Sequence, residues 1–256
     1  MTTIEIISIA AAAAAAGAIN AVAGGGTLLT FPVLLLFGTP PVIANATSTL
    51  ALVIGTAGSI FGYRKHIAEV NQWLTRFIPV SLVGGLLGGI LLTRTSNETF
   101  AKLVPFLILF ATILFFAQGA FRRFAGLSED GGAKHHAVLG AIAFQFAVSV
   151  YGGYFGAGIG ILMLASLGFI GLTNIHEMNG LKTVLGSLIN VVATLWFVWA
   201  GLIDWPKAAI MAGGAVWGYY LASHFSQRIP QKYVRHLITG IGLLISVWTF
   251  YKQFCS

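Results

Sequence analysis

Ala23-Gly24-Gly25-Gly26-Thr27-Leu28-Leu29-Thr30 and Phe155-Gly156-Ala157-Gly158-Ile159-Gly160-Ile161-Leu162 are two copies of one feature, a cluster of glycines inside a long apolar stretch. Phe155 follows Ala23 by 132 residues, about half of the 256-residue chain. Glycine interruptions at matching points of two apolar halves are a sequence pointer to a transporter's binding site. Their plainer role is to permit tight turns or close packing, and the duplicated position favours the functional one.

The rest of the chain is membrane-like. Hydrophobic residues make up 57% and charged residues only 8%, against roughly 25% charged in soluble domains. Mean hydropathy is +0.88. Too few charges exist to cover a water-facing surface, so lipid is the expected solvent. The lone Cys255 excludes a disulfide framework and a thiolate metal site. The net charge of +7 comes from short basic clusters between apolar stretches, the positive-inside pattern. No basic face accompanies a soluble core, which argues against a nucleic-acid partner. Ile4 to Ala23 ends in Ala21-Val22-Ala23, like a signal-peptide cleavage site. But Glu5 and the absence of Lys or Arg before the apolar run point to a retained helix.

Eight apolar stretches follow: Ile4–Phe37, Val42–Tyr63, Trp73–Leu92, Ala101–Ala120, Ala137–Ile170, Met178–Gly201, Trp205–Phe225 and Val234–Tyr251. Six are near the roughly 20 residues of a spanning helix. The first and fifth each have 34 residues and carry the glycines. Each is either one long tilted helix or a hairpin of a full helix and a shorter return. Single crossings would divide the 14 Lys and Arg residues eight to six between the two faces. Hairpins would place Arg64, Lys65, Arg76, Arg122, Arg123, Lys134, Lys182, Arg228, Lys232 and Arg235 on one face, and Arg94, Lys102, Lys207 and Lys252 on the other. The hairpin split obeys the positive-inside rule better. It gives each half an odd number of passes, so the halves are inverted in the membrane.

The expected fold is therefore an all-α polytopic membrane protein of two inverted repeats, each a Gly-broken helical hairpin plus three transmembrane helices. Residues 1–127 form the first repeat, 128–134 a polar linker and 135–256 the second. Asn45 pairs with Asn179, Trp73 with Trp205, and Gly84–Gly89 with Gly213–Gly218. The spacings Gly85 to Gly89 and Gly214 to Gly218 allow helices to approach closely, within the chain or between copies, so homo-oligomerisation stays open.

Backbone groups freed at depth must be buried in protein or line a wet cavity. A helix starting after each break aims free N–H groups and a positive dipole end into that cavity, which suits an anion. The candidate substrate-binding residues are Gly24, Gly25, Gly26, Asn45, Thr47, Ser48, Gly156, Gly158, Asn179 and Lys182. Lys182 precedes almost twenty uncharged residues, and a charge so placed is expensive unless it has a task or snorkels to an interface. Asn179 lies three positions earlier, on the same helix face. Thr47 and Ser48 in Asn45-Ala46-Thr47-Ser48-Thr49 add hydroxyl donors to the first half. Asn20 and Asn190 fit helix–helix hydrogen bonding. His176 and Glu177 are candidates for proton coupling, or else an interfacial helix start. Asp204, before Trp205-Pro206, reads as a helix cap. No metal-ligand motif, cofactor motif or catalytic arrangement appears.

The run from Asn20 to Pro32 followed by Ala44–Thr49, and the run from Tyr151 to Gly160 followed by Met178–Thr183, resemble the two half-motifs of the sulfite exporter TauE/SafE family. The resemblance covers nearly the whole chain. It implies a multi-pass transporter of the plasma (inner) membrane for a small sulfur-containing or organic anion such as sulfite, sulfoacetate or another sulfonate. The partners it implies are that anion and the lipid bilayer. The expected mechanism is alternating access, with a passive anion channel and an integral-membrane enzyme as the alternatives.

Overall fold

A computed structural model describes residues 1–22, 25–69, 71–125, 135–169, 172, 175–225 and 231–254. Among the described residues there are ten helices: α1 (Thr3–Val22), α2 (Thr27–Leu36), α3 (Pro41–Glu69), α4 (Asn71–Arg94), α5 (Asn97–Ala125), α6 (His135–Tyr154), α7 (Ile159–Phe169), α8 (Ile175–Trp199), α9 (Trp205–Phe225) and α10 (Gln231–Phe254). No strand occurs among the described residues. In lipid this is the expected outcome, since a helix satisfies its own backbone. The stretches Thr3–Asn20, Trp73–Arg94, Asn97–Leu114 and Gly180–Trp199 are long and apolar enough to cross a bilayer. The chain is a polytopic helical membrane protein. The linker 128–134 and Cys255 lie outside the described residues.

Each 34-residue apolar stretch resolves into a long and a short helix. α1 has 20 residues and α2 only 10, roughly 30 Å against 15 Å of rise. α6 and α7 repeat this with 20 and 11 residues. A Cβ built on Gly26 would lie 2.6 Å from the Ala16 carbonyl oxygen, so the start of α2 sits beside the middle of α1. At its other end the chain returns to where α1 began. Lys207 Nζ pairs with Glu5 at 2.9 Å and donates to Thr39 Oγ1 at 2.9 Å.

The packing interleaves the halves. α1 lies along α9, α4 along α6, α3 against α8 and α9, α4 against α8, and α5 against α10. Advancing each helix by five places, cyclically, turns α1–α9 into α6–α4, turns α3–α9 into α8–α4, and leaves α3–α8 and α5–α10 unchanged. The glycine pairs work inside the chain. A side chain at Gly218 would enter the Ala14 backbone, one at Gly214 would reach the Ala10 carbonyl, and one at Gly88 the Val150 carbonyl. Small residues on both partners let these backbones touch.

One end of the bundle gathers the starts of α1, α3, α5 and α9 with the ends of α4, α6 and α8. The Val42 N–H donates to Asn97 Oδ1, Trp196 Nε1 to Thr93 Oγ1, and Tyr154 Oη to Thr95 Oγ1 at 3.4 Å. Large apolar side chains such as Phe116, Leu195, Leu244 and Val247 face outward. Trp199 and Trp205 stand exposed near the gathered end, where amphipathic rings meet the lipid–water boundary.

Candidate functional site

Both breaks are built by local chemistry that demands glycine. Gly25, Gly156 and Gly158 have φ of 98°, 81° and 79°, which a side chain would strain. At the first break Asn20 Oδ1 accepts the Gly26 N–H at 2.8 Å, holding the turn against the end of α1. Leu28 N–H bonds Gly25 O, and Leu29 and Thr30 N–H both bond Gly26 O. The Thr30 and Ser48 hydroxyls then meet at 2.6 Å, tying α2 to α3, with both residues buried. At the second break Tyr151 Oη donates to the Ala157 carbonyl at 2.8 Å, and Phe155 and Gly156 N–H both bond Tyr151 O.

Asn45, Thr47 and Ser48 each leave α3 for a different partner. Asn45 is 1% exposed, and its Nδ2 donates to the Tyr154 carbonyl across the halves at 3.0 Å. Thr47 Oγ1 accepts the Asp204 N–H at 3.0 Å, from the segment before α9. Asp204 is the expected cap, its Oδ1 accepting the Lys207 N–H at 3.2 Å. Thr47 is therefore tied to the α8–α9 connection, and Ser48 to Thr30. Of the three, Asn45 alone reaches a glycine break of the opposite half.

Lys182 is half-buried on α8, and its Cδ lies 3.1 Å from where a Cβ on Gly160 would sit. The missing side chain at Gly160 is the groove in which the lysine stem lies, at the first turn of α7. By helix geometry the first N–H groups of α7 have no intrahelical acceptor, so a basic side chain and a positive helix end share this break. Asn190 Oδ1 borders Gly156, 3.7 Å from its Cβ position. Gly158 faces Ala111 and Leu114 of α5 at ordinary contact distance, so its positive φ rather than crowding is what calls for glycine. Glu177 is half-buried in the first turn of α8. Gly24 and the side chains of His176 and Asn179 lie outside the described residues.

A cavity of about 300 Å³ lies between the α2–α3 connection, α5 and α10, lined by Thr39, Pro41, Val104 and Trp248 among others, and it touches neither break. Among the described residues no cluster of three His, Cys, Asp or Glu side chains is placed to hold a metal.

Sequence reasoning missed Thr30, Tyr151 and Lys207. Thr30 and Tyr151 carry a legible signal, being polar groups within five residues of a glycine break. Lys207 carried none beyond its place after a cap.

A family model described as sulfite exporter TauE/SafE matches residues 9–249. A probable membrane transporter protein of Haemophilus influenzae is 28% identical over 241 residues, covering 92% of this chain and 90% of the relative. The probable membrane transporter protein YfcA of Escherichia coli K12 is 24% identical, covering 92% and 86%. A probable membrane transporter protein, ORF9, of a Sinorhizobium species is 26% identical, covering 90% and 86%. No solved structure matches.

Proposed function

The chain belongs to the sulfite exporter TauE/SafE family of membrane transporters, and we propose that it is a secondary carrier of the plasma (inner) membrane. Its cargo is a small sulfur-containing or organic anion, with sulfite, sulfoacetate and other sulfonates as the class to test. It acts by alternating access of two inverted repeats, residues 1–127 and 135–256, joined by the linker 128–134.

The observation that carries the anion reading is the second break: the Lys182 stem lies on Gly160 at the start of α7. A lysine whose stem lies on the first turn of α7, beside a positive helix end, suits an oxyanion. The inverted arrangement draws support from the bundle end described above. α1 leaves that end at Glu5 while α6 arrives at it at Tyr154, so corresponding helices run in opposite senses. The same end carries Arg94, Lys102 and Lys207, members of the basic-poor set in the hairpin reading. Two of these are matched by acids, Lys102 by Glu98 at 2.7 Å and Lys207 by Glu5. That distribution fits a non-cytoplasmic face.

The test is flux in proteoliposomes holding the full chain, with sulfite, sulfoacetate and a simple carboxylate as separate arms. A carrier gives saturable uptake with counterflow, and Lys182→Ala lowers uptake at least tenfold while Lys182→Arg retains part of it. Uptake that never saturates and shows no counterflow indicates a channel. Unchanged uptake in Lys182→Ala removes Lys182 from the site.

A further inference from the structure

The second break has an acceptor side as well as a donor side. The Tyr154 carbonyl can only accept, so it dictates how the Asn45 amide is turned: Nδ2 faces the carbonyl at 3.0 Å and Oδ1 points away. Asn45 Oδ1 is buried and has no hydrogen-bond partner among the described residues. A buried amide oxygen without a donor is costly and calls for an occupant.

Two more oxygens border the same turn, Tyr154–Gly156. A Cβ position on Gly156 lies 3.0 Å from the Gly152 carbonyl oxygen and 3.7 Å from Asn190 Oδ1. The Gly152 carbonyl and Asn190 Oδ1 sit at the C-terminal end of α6, to which Asn45 is tied through Nδ2, and there the helix dipole is negative and the last carbonyls lack intrahelical donors. An anion finds only repulsion on this side. Neutral oxygens from a broken helix end and neighbouring amides suit a monovalent cation. A divalent ion would need carboxylates to balance it, and no residue of this set is acidic.

We propose that Asn45 Oδ1, Asn190 Oδ1 and the terminal carbonyls of α6 form a binding site for a small monovalent cation, sodium, at the second glycine break. Asn45 joins the halves there, so occupancy by sodium couples the first repeat to the hinge of the second. Its link to transport rests on the anion reading above: Lys182 and the start of α7 would hold the anion, and the end of α6 the cation, with opposite charges meeting across one break. A family of neutral ligands also means that sodium binding needs no proton release between pH 6 and 8.

The experiment is a thermal-stability titration of the purified full chain with sodium chloride, with choline chloride at equal ionic strength as the reference and no sulfite present. Saturable stabilisation by sodium over choline is expected in the parent, lost in both Asn45→Ala and Asn190→Ala. It should persist in Gln145→Ala, which alters a buried amide of α6 away from the break. Equal curves in sodium and choline overturn the proposal, as does a sodium effect that survives in Asn190→Ala, the variant that leaves the Tyr154 carbonyl bonded. Because sulfite is absent, sodium binding stands or falls separately from the anion reading. Sodium stabilisation without any anion flux would keep the cation site and remove the anion transporter.

Discussion

Among single residues, Thr30 and Ser48 show what a polar pair contributes inside this bundle. Both are buried and their hydroxyls meet at 2.6 Å. In water, orphaning one partner of such a bond costs about 1–3 kcal/mol. In a membrane, unfolded helices find other partners, and measured couplings average about 0.6 kcal/mol. Ser48→Ala and Thr30→Val should therefore each destabilise by roughly 1 kcal/mol. The double variant should lose less than their sum, by about 0.6 kcal/mol, in a double-mutant cycle on detergent unfolding. These partners were not legible in the sequence, since Thr30, Ser48 and Thr49 look alike as hydroxyls in apolar runs. Among the described residues Thr49 bonds its own helix, at the Asn45 carbonyl, the common fate of such residues.

Among elements, the glycines sort into those that carry an interface and those that do not. Gly214 and Gly218 press α9 against Ala10 and Ala14 of α1, whereas a side chain at Gly213 would meet nothing within 4 Å. Gly218→Leu should prevent the chain from assembling as a monodisperse species in size-exclusion chromatography, and Gly213→Leu should leave it unchanged. The two lie five residues apart on one helix, so helix propensity does not explain the difference. A small-xxx-small spacing was visible in the sequence, but its partner was not: α1 is a run of alanines that advertises no particular neighbour. The hairpin ends are held differently. Lys207 joins α9 to Glu5 and Thr39, with Asp204 Oδ2 3.9 Å away. Lys207→Ala should lower the unfolding temperature, and Lys207→Glu combined with Glu5→Lys should recover part of the loss, since reversing a pair restores its sign.

At the scale of the whole molecule, the orientation is testable by labelling. In a Cys255→Ser background, cysteines at Thr95 and Lys102 should react with a membrane-impermeant thiol reagent from the outer face of intact cells. Cysteines at Lys65 and Arg123 should react only after the membrane is opened. Labelling of all four from outside would contradict a membrane crossing by α4 and α5, near whose opposite ends these positions lie. The hairpin reading came from counting basic residues, and it weighed Lys182 as though it lay at a surface. The groove at Gly160 holds Lys182 against the first turn of α7, and leaving that residue out makes the expected split nine to four.

The amino-acid sequence alone determined the solvent, the secondary structure and the position of the breaks. These are local matters: apolar content selects lipid, a helix closes its own hydrogen bonds, and a positive φ needs glycine wherever it occurs. The tertiary structure alone decided which groups meet. Asn45 reaches Tyr154 from 109 residues away and Thr47 meets Asp204 from 157. Those distances are closed only when α3 packs between helices of the second half, a result of side-chain volumes on several helices at once. That packing also fixed which way the Asn45 amide turns, because the carbonyl it met could take nothing but its N–H.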